Sequence, residues 1–390
     1  MADFSLTAIS SQVLYLTIVF MLLVFPRALQ KYNIPAPLTC FALGMVVILT
    51  VADYSNDKTL DFLSALGISS LFLFAGLEVN LQELKKGFWP LLNHLFLRCL
   101  GIFCFTWIGI HYFEFSMQVS GLIALALLTP STGFILESLT GLNLDENEKF
   151  WVKSKAIAGE LLALLLLFIF LKSDSPSELV SSSVVLIAIA FGLPLLFIFL
   201  GRIVIPFAPG SEFSLLIMVG LIAAYLTKQI GVYYLVGAFF TGFAARQLRE
   251  RMPTLASDDN LRAVQLFASF FVPFYFFHGG MSVPYGAFQL ASLWTGLAFT
   301  AVLLPFRISS VAIQRFYVNQ ESTKSSFDVA VALTPTLIFT LVIATILHEK
   351  FGISDTLFGG LLVYAAITTI LPSFVLKKPL SLDVDNSPVH

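Results

Sequence analysis

The sequence predicts an all-α polytopic membrane protein of about thirteen transmembrane helices, arranged as two inverted-topology repeats with crossed broken helices. Three observations carry this. First, the 390 residues are 57% hydrophobic and 12% charged, with a mean hydropathy of +0.89, and the charges fall between apolar stretches long enough to span a bilayer. Second, thirteen such stretches follow one another with short loops: 6–25, 35–52, 60–79, 89–112, 117–139, 154–172, 179–200, 212–227, 231–247, 261–281, 288–313, 327–347 and 354–376. Third, nearly the same breaker interrupts the fifth and twelfth stretches, as Leu128-Thr129-Pro130-Ser131-Thr132 and Leu333-Thr334-Pro335-Thr336.

Proline removes a backbone donor and opens the turn before it, while Thr and Ser offer oxygens to the freed groups. A single interruption of this kind reads as a kink. Two in matching wording, at corresponding positions of two hydrophobic halves, point to inverted repeats whose broken helices meet at an ion site.

The first stretch follows Asp3 without a basic n-region or a small-residue cleavage site, so it reads as a retained span. Between the stretches, sixteen of the 22 lysines and arginines fall on one side and four on the other, with Arg98 and Arg307 inside spans. This bias puts the N-terminus outside and the C-terminus in the cytoplasm of a cell (inner) membrane protein. The transmembrane domain is expected over 1–376, with 377–390 as a short cytoplasmic tail that leaves no room for a fused nucleotide-binding domain. Cys40, Cys99 and Cys104 lack metal-type spacing and the five histidines form no cluster, which argues against disulfide and zinc chemistry.

Glu160 stands seven residues beyond Lys153 in the sixth stretch, roughly 10 Å deep at the rise of an α-helix. An ionised carboxylate there costs at least ~2.5 kcal/mol unless it faces a cavity or a partner. It reads either as one member of a structural ion pair or as a carrier that binds cation and proton in turn. Arg307 stands eight residues before Arg315, roughly 12 Å deep. It is open to three roles: pairing with Glu160, neutralising the carbonyl ends of broken helices, or snorkelling to the interface. Thr129, Ser131 and Thr132 supply oxygens suited to a hard monovalent cation, and they also serve to satisfy the break internally. Thr334 and Thr336 repeat the pattern around Pro335, as the first three do around Pro130. Glu78 and Glu137 read as interfacial. The run Phe271 to Phe277 reads as packing or lipid contact, and His278 at its end as an interfacial residue or pH sensor.

Leu66-Gly67-Ile68-Ser69-Ser70-Leu71-Phe72-Leu73-Phe74-Ala75-Gly76-Leu77-Glu78 resembles the third-span signature of monovalent cation:proton antiporters of the sodium/hydrogen exchanger superfamily. Gly231 to Phe243 resembles the ninth-span signature, and Phe274 to Met281 the Phe-rich, Gly-Met-ending tenth span. The likeness covers essentially the whole chain and is most similar to the Kef-type and NapA-like branch. It implies an essential carboxylate in the sixth span, preceded by Asn, Asp or Gln in the family; here the matching positions are Gly159 and Glu160. It implies a basic residue in the eleventh span, matched by Arg307, and interrupted fifth and twelfth spans, matched by the two breakers. Lys155 stands where some relatives place an acid to pair with that arginine. The resemblance further implies a homodimer, with spans 1–3 and 8–10 as dimerisation scaffold and spans 4–6 and 11–13 as moving core.

The expected protein is thus an antiporter, not an enzyme. It exchanges Na⁺ or K⁺ for protons by alternating access, electroneutrally through one carboxylate. Its partners are cation, proton, membrane lipid and a second copy, with no cofactor, no metal beyond the transported cation, and no nucleic acid. Two rivals stand beside this reading. A sodium-coupled solute symporter would need a wider polar cavity, and a non-transporting sensor or partner subunit would fit the loss of the polar pair at Gly159.

Overall fold

Each of the thirteen apolar stretches coincides with a helix, or with a broken pair of helices, in the computed structural model. The model describes residues 11–32, 34–50, 57–173, 175–231, 234–255 and 257–376. The start of the first predicted stretch, the end of the second and the 377–390 tail lie outside the described residues. In chain order the helices are α1 (Ser11–Gln30), α2 (Ala36–Thr50), α3 (Lys58–Leu77), the short α4 (Leu81–Lys86) and α5 (Phe88–Phe113). The fifth span is split into α6 (Met117–Leu128) and α7 (Thr132–Ser138). Next come α8 (Glu146–Lys172), α9 (Pro176–Ile203), α10 (Glu212–Gln229), α11 (Tyr234–Gln247), α12 (Asp258–Met281) and α13 (Leu290–Val318). The twelfth span is split into α14 (Thr323–Ala332) and α15 (Leu337–Phe351), and α16 (Asp355–Val375) is the last.

Eight of the described helical spans are long and apolar enough to cross a membrane, and α14 with α15 makes a ninth, bent by 43°. The shorter apolar α1 and α2, with α11 and α12, occupy the remaining stretches. Polar caps set the ends where hydropathy does not. The sixth stretch begins earlier than its apolar run, because Asp145 accepts from the Glu148 amide while the Glu148 carboxylate accepts from the Asp145 amide. That capping box adds two polar turns to α8. It moves Glu160 to the middle of a 27-residue helix, about 21 Å from its start at 1.5 Å per residue.

Helix packing falls into two groups. α1, α2, α3, α10, α11 and α12 pack on one another, and α5 to α8 pack with α13 to α16. The joins between the groups are sparser and run through α7 against α3 and through α8 against α9, which leans on α11. In the first group backbones touch directly. A Cβ on Gly76 would strike the Phe239 carbonyl oxygen, and one on Gly242 would strike that of Leu73, so α3 and α11 notch into each other. Gly44 and Gly280 do the same for α2 and α12. Without a hydrophobic driving force in lipid, close van der Waals approach of this kind is what holds helices together. The three helices that carry the signature-like stretches therefore meet as one packed unit, since Gly67 of α3 also rests on the Phe271 carbonyl of α12.

Gly242→Leu is expected to wedge α3 from α11, an overpacking cost of about 1–3 kcal/mol. A clear fall in the thermal unfolding midpoint of the detergent-purified protein checks this. Leucine at Gly192, whose Cβ position is open, should leave the midpoint unchanged.

Candidate functional site

The two breaks cross, and each satisfies the other. The chain leaves α6 at Thr129 in extended conformation and re-enters helix at Thr132. At the crossing the Ser131 amide donates to the Pro335 carbonyl at 2.8 Å. The Ser131 hydroxyl accepts from the Ile338 and Phe339 amides at 3.0 and 3.2 Å, so it caps α15 from the opposite repeat. In return, Thr340 on α15 donates to the Ala126 carbonyl, one of the free acceptors at the end of α6, at 2.7 Å.

Two half-helices point their C-terminal ends at the crossing, and each presents free carbonyls and partial negative charge. Arg307 answers α14: its Nη1 donates to the Thr334 carbonyl and its Nη2 to the Leu333 carbonyl, both at 2.9 Å. Nη1 also donates to the Tyr364 hydroxyl at 3.0 Å, and that hydroxyl donates to the Leu127 carbonyl of α6 at 2.7 Å. One guanidinium and one phenol thus serve both ends. The Thr334 hydroxyl lies within donating distance of the Val331 and Thr368 carbonyls, and Thr336 bonds to the Thr368 hydroxyl at 3.1 Å. These contacts are with the carbonyl end of a broken helix, the second of the three roles that the sequence leaves open to Arg307. No ion pair joins it to Glu160 among the described residues.

Glu160 is 2% exposed, and its Oε2 has no hydrogen-bond partner. The Thr132 hydroxyl lies close enough to this carboxyl to interact with it, though Thr132 Oγ1 and Glu160 Oε2 form no hydrogen bond of ordinary geometry among the described residues. Thr129 Oγ1 at the same break is likewise buried and unpartnered. Ser131, by contrast, is committed to capping. The predicted set thus divides: Glu160, Thr132 and Thr129 keep free oxygens, while Ser131, Thr334 and Thr336 hold the breaks that Pro130 and Pro335 open.

Three basic residues stand differently from their sequence reading. Lys155, one turn before Glu160, is fully buried and bonds to the Gln314 side-chain oxygen, while the Gln314 amide holds the Pro90 carbonyl at 3.1 Å. It clasps α8 to α13 and α5. Arg315, expected on the cytoplasmic surface, is 0% exposed, paired with Glu321 and set over the Trp151 ring. Arg98 of α5 carried no role in the sequence, yet it occupies the space where a side chain at Gly159 would go, with its Nη1 against that position. Glu78 pairs with Lys153 at 2.5 Å, tying α3 to α8 across the two helix groups.

A multi-pass membrane protein with crossed helix breaks and an unpartnered carboxylate at mid-helix is the scaffold of an ion-coupled secondary transporter. The family model for the sodium/hydrogen exchanger transmembrane region matches residues 15–381, and the chain belongs to that family. A Na(+)/H(+) antiporter of Enterococcus hirae is 24% identical over 369 residues, covering 89% of this chain and 92% of that protein. A probable Na(+)/H(+) antiporter of Methanocaldococcus jannaschii is 26% identical over 386 residues, covering 93% and 95%. The solved structure of the sodium proton antiporter MjNhaP1 from Methanocaldococcus jannaschii shares the fold, with a TM-score of 0.67 at 14% identity over 94% of this chain and 96% of that one.

Arg307→Ala leaves the α14 carbonyls without a buried donor, a loss of about 1–3 kcal/mol. Thermal unfolding should show a lowered midpoint that Arg307→Lys restores in part, because lysine keeps the charge and loses the planar fork. A wild-type midpoint in the alanine variant would mean that the carbonyls find other partners.

Proposed function

We propose that the protein exchanges a monovalent cation for protons by alternating access, with Glu160 as the carrier. The observation that supports this most is the buried Oε2 of Glu160 without a partner, beside two unpartnered threonine hydroxyls at a helix break. A desolvated carboxylate needs a proton or a cation, and it holds one of them at a time. Thr132 and Thr129 would supply further oxygens to the cation, Ser131 would keep the break rigid, and Arg307 would keep the carbonyl ends neutral while the carboxylate changes state. Sodium is the cation named for both relatives, and it is the first to test against potassium. The family and these relatives favour neither the solute-symport nor the non-transporting reading.

One carboxylate that swaps one proton for one monovalent cation exchanges charge for charge, because Gly159 places no second acid beside it. The sparser join between the helix groups suits a core of spans 4–6 and 11–13 that slides against a scaffold of spans 1–3 and 8–10. Movement would break the Lys153–Glu78 pair. Exposed apolar side chains on α1 and α10, such as Phe20, Phe25, Met218 and Ile222, give the scaffold surface for lipid and for a second copy in a homodimer. The lysine and arginine bias supports an outside N-terminus and a cytoplasmic C-terminus in the cell membrane.

Glu160→Gln is expected to abolish cation-driven proton flux in proteoliposomes while the protein still folds. Glu160→Asp, which keeps the carboxylate, should retain measurable exchange. Undiminished flux in the glutamine variant would remove Glu160 as the carrier.

A further inference from the structure

We infer that the core holds a second, resident ion site: a pocket for a small monovalent anion of halide size between Arg98 and Arg307. A cavity of about 40 Å³ opens among α5, α6, α13 and α14. His94, Arg98, Arg307 and Ser310 line it together with apolar side chains, and no carboxylate does so among the described residues. Two guanidiniums facing one cavity at this depth repel each other and demand a counter-charge. The charge of Arg307 is committed to the α14 carbonyls. That of Arg98 is not: it forms no salt bridge with any described residue, and its Nη1, packed against Gly159 beyond the cavity wall, has no hydrogen-bond partner among the described residues. The His94 Nε2, also on this wall, is buried and unpartnered as well. Two guanidiniums on one cavity wall, with no described carboxylate among its lining residues, make an anion site.

Size selects the anion. The small volume of the cavity, about 40 Å³, suits a halide with a water better than a phosphate headgroup. Position gives the site its consequence. The cavity lies wholly within the helix group that carries Glu160, and Arg98 reaches from its rim to Gly159. An anion there travels with the core, neutralises Arg98 and leaves the Glu160 carboxylate to choose between cation and proton. It is a fixed constituent and not cargo.

The test is equilibrium binding of chloride to the purified full-length protein in an uncharged maltoside detergent, read from the excess chloride NMR line width. This readout does not depend on transport, so its failure would leave the proposed antiport untouched. Excess broadening that saturates in the millimolar range, is displaced by bromide, and is lost in Arg98→Gln but kept in Arg249→Gln supports the site. Arg98→Lys, which preserves the charge, guards against a glutamine variant that fails to fold and should retain weakened binding. Bromide soaked into crystals of the wild type should give an anomalous peak between Arg98 and Arg307. Broadening that never saturates, or that persists unchanged in folded Arg98→Gln, would overturn the proposal. So would displacement by inorganic phosphate but not by bromide.

Discussion

The structure depends on one constraint: two helices are broken inside a membrane, and every backbone group their breaks release must find a partner within the protein. Neither broken span solves this alone. Ser131 of the fifth span caps the second half of the twelfth, and Thr340 of the twelfth answers the end of α6. Arg307 and Tyr364 close the remaining carbonyls. The breaks are therefore a single unit, held by side chains contributed across the crossing. Beside the first break, Glu160 Oε2, Thr132 Oγ1 and Thr129 Oγ1 are among the buried oxygens left without a partner in the described residues.

Much of this was legible in the residues. Apolar length located all thirteen spans, and the two Leu-Thr-Pro stretches marked both breaks, because proline leaves a signature that needs no partner to be read. Glu160 and Arg307 stood out because a charge in an apolar run is expensive wherever it points. What escaped depends on neighbours. Tyr364, Thr368 and Thr340 are ordinary membrane residues until the carbonyls they face are known. Arg98 was visible as a charge, but its place against Gly159 arises from the packing of α5 on α8. Lys155 and Arg315 were counted as surface cations. α8 begins two turns earlier than its apolar run, and Gln314, Glu321 and Trp151 enclose them.

The signature-like stretches of α3, α11 and α12 turned out to carry packing and not chemistry. Their glycines bring backbones into contact, which makes one half of the molecule a stiff slab. The other half holds the crossing, Glu160 and the Arg98 cavity, and touches the slab mainly along α7 and α3 and at the Lys153–Glu78 pair.

The central claim is that a single carboxylate, Glu160, exchanges one proton for one cation. The most direct measurement is the initial rate of cation-driven proton movement by the wild-type protein in proteoliposomes, under a membrane potential set by an ionophore. Exchange through one carboxylate should give a rate indifferent to the sign and size of the potential, no net current, and an apparent cation affinity that weakens as proton concentration rises. A rate that scales with voltage, or a steady current during turnover, would contradict it and would require a second charged group to move in the cycle.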